Sequence, residues 1–128
     1  MSSAAGDGQI DLVVFRAGAY PIGFEARCVR SSQGTASAGA PLAETVLDLP
    51  LAAPAVGLRQ CLMLRLPEGE RSLLVASPLE LIRMPITAIQ PLPPLLAARN
   101  YLPGLRALVL LPNRETMLLF DVGKLRFS

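Results

Sequence analysis

The chain has 128 residues, of which 52% are hydrophobic, and a formal net charge of +2. Its length allows one domain, or two very small lobes that share a core. The small charge and the low aromatic content, with two Tyr, four Phe and no Trp, argue against a nucleic-acid partner, and no apolar run approaches the roughly 18 residues of a membrane span.

The first residues, MSSAAGDG, lack a basic region followed by an apolar core. This pattern is not that of a signal peptide. We therefore predict a short disordered tail over residues 1–8 and one domain over residues 9–128.

Short apolar segments separated by turn residues predict a series of strands. The 12 prolines leave few intervals for a long helix, because an interior proline costs a helix about 3 kcal/mol. PEGE at residues 67–70 and PNRE at residues 112–115 suit tight turns between strands. Regularly spaced strands with such turns indicate an all-β sandwich or barrel. The predicted strands cover residues 12–16, 45–49, 57–66, 71–76, 79–84, 105–111 and 116–120.

Two longer connections lie between these strands. Residues 31–43 are small and polar and predict a loop. We predict that residues 90–104 begin extended and that LLAAR forms a helical turn. Within residues 57–66 the side chains alternate at period two. One face is predicted to carry Leu58, Gln60, Leu62, Leu64 and Leu66, and the other Arg59, Cys61, Met63 and Arg65.

The order and spacing of five segments resemble a CheW-like coupling domain, the adaptor module of bacterial chemosensory arrays. The segments are DLVVFRAGAYPIGFE, TVLDL, RSLLVASPLELIRMPITAIQPLP, NYLPGLRAL and MLLFDVGKL. The resemblance implies two small SH3-like β-barrels packed on a shared core. It also implies a cytoplasmic, non-catalytic adaptor that binds a chemoreceptor-like helical tip and the regulatory domain of a histidine kinase.

The sequence departs from the family pattern mainly in the first lobe. Where the family has an Arg-Gly pair, this chain has Ala40 and Pro41, and where the family often has an Asp it has Ala76 and Ser77. We therefore expect a reduced first lobe, which puts kinase contact in doubt. A divergent interaction module of another sensory or motility system is the alternative, and self-association through exposed strand edges stays open.

The residue types leave little room for catalysis. The absence of histidine removes Ser-His-Asp and Cys-His arrangements, and we expect no cofactor. A small β-barrel enzyme that uses Asp or Cys is the remaining catalytic alternative. For Cys28 and Cys61 we favour reduced, buried thiols, although a disulfide stays open. Asp121, in TMLLFDVGKL, is expected to cap a turn by accepting hydrogen bonds from the amides of Gly123 and Lys124.

Partner binding would use exposed apolar strand faces, the border of a groove between lobes, and arginines at its rim. A helix laid in that groove is expected to meet Leu102 and Leu105, and Arg99 is a further rim candidate. For each residue, burial in the core or a solvated charge is the competing interpretation. The candidate contacts are Arg59, Leu79, Leu81, Met84, Leu102, Gly104, Leu105 and Arg106.

Overall fold

The computed structural model describes residues 8–17, 20–33, 40–47, 49, 59–92 and 104–125. The predicted tail therefore lies almost wholly outside the described residues. Gly8 is described, and its carbonyl accepts a hydrogen bond of 2.7 Å from the amide of Ile86. The strands are β1 (Gln9–Ala17), β2 (Tyr20–Glu25), β3 (Val29–Gln33), β4 (Arg59–Leu66), β5 (Gly69–Pro85), β6 (Ile89–Pro91), β7 (Leu105–Leu110) and β8 (Thr116–Phe120).

The helices within the described residues are short. The helix α1 spans Ala43–Leu47, and 3₁₀ helices span Ala26–Cys28, Ile86–Ala88 and Val122–Lys124. No helix in the described ranges has the length and apolar character that crossing a membrane requires.

The eight strands seen in the described part of the chain belong to one sheet, in the order β3-β4-β5-β1-β2-β8-β7-β6. Neighbours are antiparallel, apart from β2 and β8, which run parallel. The predicted all-β class is confirmed. The order is open, so the strands form one sheet instead of two separately closed ones.

Each face of the central strands carries its own hydrophobic cluster. Successive side chains of a strand point to opposite faces, so on β1 Phe15 and Ala17 join the first cluster while Leu12 joins the second. On β8, Leu118 and Phe120 join the first cluster, whereas the remaining apolar positions join the second. In place of two separate lobes, the structure has two hydrophobic clusters that lie on opposite faces of the same central strands.

The first cluster is the larger and is covered by α1, β4 and the first part of β5. The predicted alternation in residues 57–66 is seen here, because Leu62, Leu64 and Leu66 are buried in this cluster. Cys61 is also buried, on the other face of β4, and Cys28 is half-buried; neither cysteine forms a disulfide. The second cluster is completed by Met84 of β5 and by Ala107 and Val109 of β7.

The segments predicted as separate strands at 71–76 and 79–84 form one strand, β5, which runs through Pro78. β5 changes neighbour near Ala76, which opposes Arg59 of β4 on one side and Arg16 of β1 on the other. The register with β1 is irregular between Val14 and Arg16. Pro78 lies in this irregularity, where its missing N–H breaks no regular ladder.

Both predicted tight turns are present. Residues 67–70 join β4 to β5, with Leu66 paired to Gly69, and Gly69 has a φ of 131° that favours glycine. Residues 112–115 join β7 to β8, and the amide of Leu111 donates to the carbonyl of Glu115 over 2.8 Å.

The prediction of a strand at residues 45–49 is wrong, because the chain forms α1 there. Ala43, Val46 and Leu47 are buried and are spaced at i, i+3 and i+4, which places them on one helix face. Glu44 in the first turn suits the helix dipole. At the two ends of the predicted loop at 31–43, β3 extends to Gln33 and α1 begins at Ala43, and residues 34–39 lie outside the described residues.

Asp121 ends β8 and caps the 3₁₀ helix that follows. Its Oδ1 accepts the amide of Gly123 at 3.0 Å, as predicted. The amide of Lys124 donates to the backbone carbonyl of Asp121, and not to the carboxylate. The turn packs against Gly104, whose φ is 82° and whose added Cβ would lie 3.2 Å from the Asp121 carbonyl oxygen.

Candidate partner-binding surface

A cleft of about 350 Å³ opens beside the second cluster. Its floor comes from β1 and β5, which pair with Val14 opposite Glu80. Its opposite wall comes from the turn between β7 and β8. Val14, Ile82 and Leu111 line the cleft and also pack against the second cluster. The cleft therefore combines an apolar wall with an open side.

One side of the cleft carries an exposed ion pair between Arg16 and Glu115. The Arg16 guanidinium donates to both carboxylate oxygens of Glu115, over 3.1 and 2.9 Å. Asn113 braces this carboxylate, since its Nδ2 donates to Glu115 Oε1 over 2.9 Å and its Oδ1 accepts the Glu115 amide over 3.0 Å. The hydrogen bonds from Arg16, and then from Asn113, lower the pKa of Glu115 below its ordinary value.

Glu80 also lines the cleft. It is exposed, and within the described part of the chain no hydrogen bond or ion pair engages its carboxylate. Because Glu115 is matched by Arg16, Glu80 is the acid of the cleft that is left to meet a partner.

A second, smaller pocket of about 80 Å³ lies beside the end of β8, lined by polar groups that include Glu25, Arg106 and Cys28. Burial by itself raises the pKa of Glu25, but hydrogen bonds from Arg106 and Arg27 outweigh burial, and the net pKa is lowered. Burial, and then the charge of Glu25, raise the pKa of the Cys28 thiol. A thiol held in its protonated form is a poor nucleophile.

The described residues hold no cluster of three or more His, Cys, Asp or Glu side chains that suits a metal ion. The carboxylates of Asp11, Glu25 and Glu115 all have lowered pKa values. A general acid needs a raised pKa instead.

Comparison with known proteins bears on the fold. No protein-family model matches the sequence, and no curated protein matches it. The structure is similar to the crystal structure of the scaffolding protein TtCheW from Thermoanaerobacter tengcongensis, with a TM-score of 0.66. The alignment covers 89% of this chain and 90% of that chain, at 11% sequence identity.

The chain has a CheW-like fold. The resemblance that the sequence motifs suggested is therefore confirmed at the level of the fold. At 11% identity the likeness does not carry over individual contacts, so those must be judged from this chain's own residues.

The predicted apolar contacts fall at different depths in the CheW-like fold. Leu81 is 70% exposed, whereas Leu79 and Leu105 are half-buried against the first cluster. Met84 is only 7% exposed and belongs to the second cluster, so it offers no contact surface in this structure. Leu102 lies outside the described residues.

The predicted polar and turn contacts are engaged within the chain. Arg59 Nη1 donates to Glu44 Oε1 of α1 over 2.9 Å, and both side chains are largely buried. Arg106 is half-exposed and donates to Glu25 over 2.7 Å, while Gly104 makes the tight approach to Asp121. Arg99 falls outside the described residues. A partner contact by any of these residues stays a prediction.

Sequence reasoning missed the cleft. Its apolar wall comes from three distant segments, and its ion pair joins residues 99 positions apart. Residues 12–16 did offer one signal, because apolar residues occupy both faces of that strand, as expected when both faces are covered. The partners of those faces became visible only in the folded sheet.

Proposed function

We propose that this protein is a non-catalytic chemosensory adaptor of the cytoplasm. Its partners would be the helical tip of a chemoreceptor-like protein, the regulatory domain of a histidine kinase, or both. The observation that carries the proposal is the CheW-like fold over 89% of the chain, shared with a protein described as scaffolding. The raised pKa of Cys28 and the lowered pKa values of the carboxylates weigh against the enzyme alternative.

The cleft beside the second cluster is the surface we assign to the helical partner. An amphipathic helix binds by laying apolar side chains into such a groove. Val14, Ile82 and Leu111 supply the apolar wall, and the Arg16–Glu115 pair lies at one side of the cleft. The cleft is a different surface from the groove beside residues 102 and 105 that the sequence predicted for a helical partner.

The test is direct binding by the full chain. Chemoreceptor hairpin-tip fragments and kinase regulatory domains from the same bacterium are titrated separately by calorimetry. We expect at least one class to bind at tens of micromolar, about −6 kcal/mol. If neither class binds, the proposal is rejected.

A matched pair of variants locates the surface. Leu111→Gln removes apolar contact from the cleft, and we expect it to weaken receptor-tip binding about tenfold. Leu110→Gln changes the adjacent residue, which is 63% exposed and points to the other sheet face, and it should bind as the parent does. Circular dichroism checks that both variants fold. A loss with Leu81→Gln and not with Leu111→Gln would place the interface on the opposite face.

A further inference from the structure

The charges of the cleft are unevenly matched. Arg16 is held by both oxygens of Glu115, so its charge is largely neutralised within the chain. Glu80 stands opposite Val14 and two positions before Ile82 on the same face of β5. An unmatched carboxylate therefore projects beside the apolar wall.

A partner that covers this wall removes water from Glu80. Desolvating a carboxylate without a compensating charge is costly, and truncating one member of a desolvated pair is correspondingly destabilising. A positively charged side chain on the partner offsets this cost through a charge-assisted hydrogen bond. Among partners with an apolar face, those that carry a basic side chain opposite Glu80 should therefore bind more tightly.

The strand pairing around the cleft bears on whether the partner binds as a strand or as a helix. β1, which forms the floor, is paired with β2 on one side and with β5 on the other. β1 itself offers no free edge to an added strand, so a partner that lies over β1 makes its contacts through side chains, as an amphipathic helix does. Within the described ranges the α-helix is only five residues long, so we assign the helix that occupies the cleft to another protein.

We propose that the cleft is specific for an amphipathic α-helix of a partner protein that places one Lys or Arg opposite Glu80, within an otherwise apolar face. The inference rests on the proposed use of this cleft for a helical partner and adds the chemistry of that partner. Glu80 acts as the specificity-determining residue, while Val14, Ile82 and Leu111 supply the apolar contact.

The experiment uses a displayed library of designed helical peptides of about 20 residues, long enough to hold a helix. All members share one apolar stripe and differ at a central position that carries Lys, Arg, Gln or Glu. The library is selected against the full chain, against Glu80→Gln, and against Glu68→Gln, an exposed control in the β4–β5 turn. Selected peptides are then measured by fluorescence anisotropy.

We expect the parent chain and Glu68→Gln to enrich Lys and Arg and to bind them about tenfold more tightly than Gln, as for a hydrogen bond to a charged group. Glu80→Gln should lose this preference, Glu80→Lys should reverse it toward Glu, and Leu111→Gln should weaken all members. Equal enrichment of all four residues, a basic preference that persists in Glu80→Gln, or binding indifferent to Leu111→Gln would overturn the inference.

The library contains no receptor sequence, so the two proposals fail separately. If the chain binds neither receptor nor kinase but prefers basic peptides in a way that depends on Glu80, the adaptor function is rejected and the proposed cleft chemistry is retained. Receptor binding without that preference rejects the cleft chemistry alone. Dimerisation of the full chain that Glu80→Lys abolishes would make a second copy the occupant and would also reject it.

Discussion

Removing Arg59 should destabilise the protein far more than removing an exposed arginine. Arg59 donates to Glu44 over 2.9 Å, and the two side chains are 15% and 7% exposed. Arg59→Ala leaves the Glu44 carboxylate buried without its partner. Breaking a buried pair in this way costs about 3 kcal/mol.

The cost converts to a large shift in melting temperature. For a chain of this length the unfolding entropy is about 0.3 kcal/mol/K, so Tm should fall by about 10 °C. The chain has no Trp, so urea and thermal unfolding are followed by far-UV circular dichroism. The urea m-value should stay unchanged if both states keep their compactness.

Two controls separate burial from charge. Arg30 pairs with Glu70, but these side chains are 56% and 41% exposed, so Arg30→Ala should cost less than about 1 kcal/mol. The double variant Arg59→Met with Glu44→Leu replaces the pair by apolar groups and should lie within about 1 kcal/mol of the parent. If Arg59→Ala costs no more than Arg30→Ala, the reasoning from burial is refuted. If the double variant binds its partner as tightly as the parent chain does, then Arg59 has a structural role and no role in partner binding.

Two further predictions concern single side chains. Asp121→Ala should cost about 1 kcal/mol by freeing the Gly123 amide, whereas Asp121→Asn should retain most of the stability in urea unfolding; equal losses would contradict the cap. Because the pKa of Glu25 is lowered from 4.5, its stabilisation is present above that value and is lost as the pH falls through the folded-state pKa. The Tm difference between the parent and Glu25→Gln should therefore shrink from pH 7 to pH 3, and a difference independent of pH would refute the assignment.

The sequence by itself predicted strands at the positions of β1, β4, β5, β7 and β8 and the turns that follow β4 and β7, but it did not predict β3 or β6. Alternation at period two over residues 57–66 identified the face that Leu62, Leu64 and Leu66 bury, since that pattern follows directly from strand geometry. The turns at 67–70 and 112–115 followed from proline and glycine chemistry that acts over a few residues. The Asp121 cap was found for the same reason.

Other features depended on the tertiary structure. The segment at 43–47 is short enough that its apolar residues fit the period of a strand or that of a helix. In the structure it forms α1, which is buried against the first cluster and carries the Glu44–Arg59 pair. The union of two predicted strands in β5 depended on a change of neighbour at Ala76. Sequence propensity reports local preferences, and tertiary packing overrides them where distant partners meet.

The cleft depends wholly on the tertiary structure. Val14, Ile82 and Leu111 come from three separate parts of the chain, and each is an ordinary apolar residue in its own segment. Arg16 and Glu115 meet only because β2 pairs in parallel with β8 and brings the β7–β8 turn to the end of β1. Side-chain pattern fixes what each strand buries, but strand order decides which exposed groups share a surface, and that order arises from contacts between residues far apart in the chain.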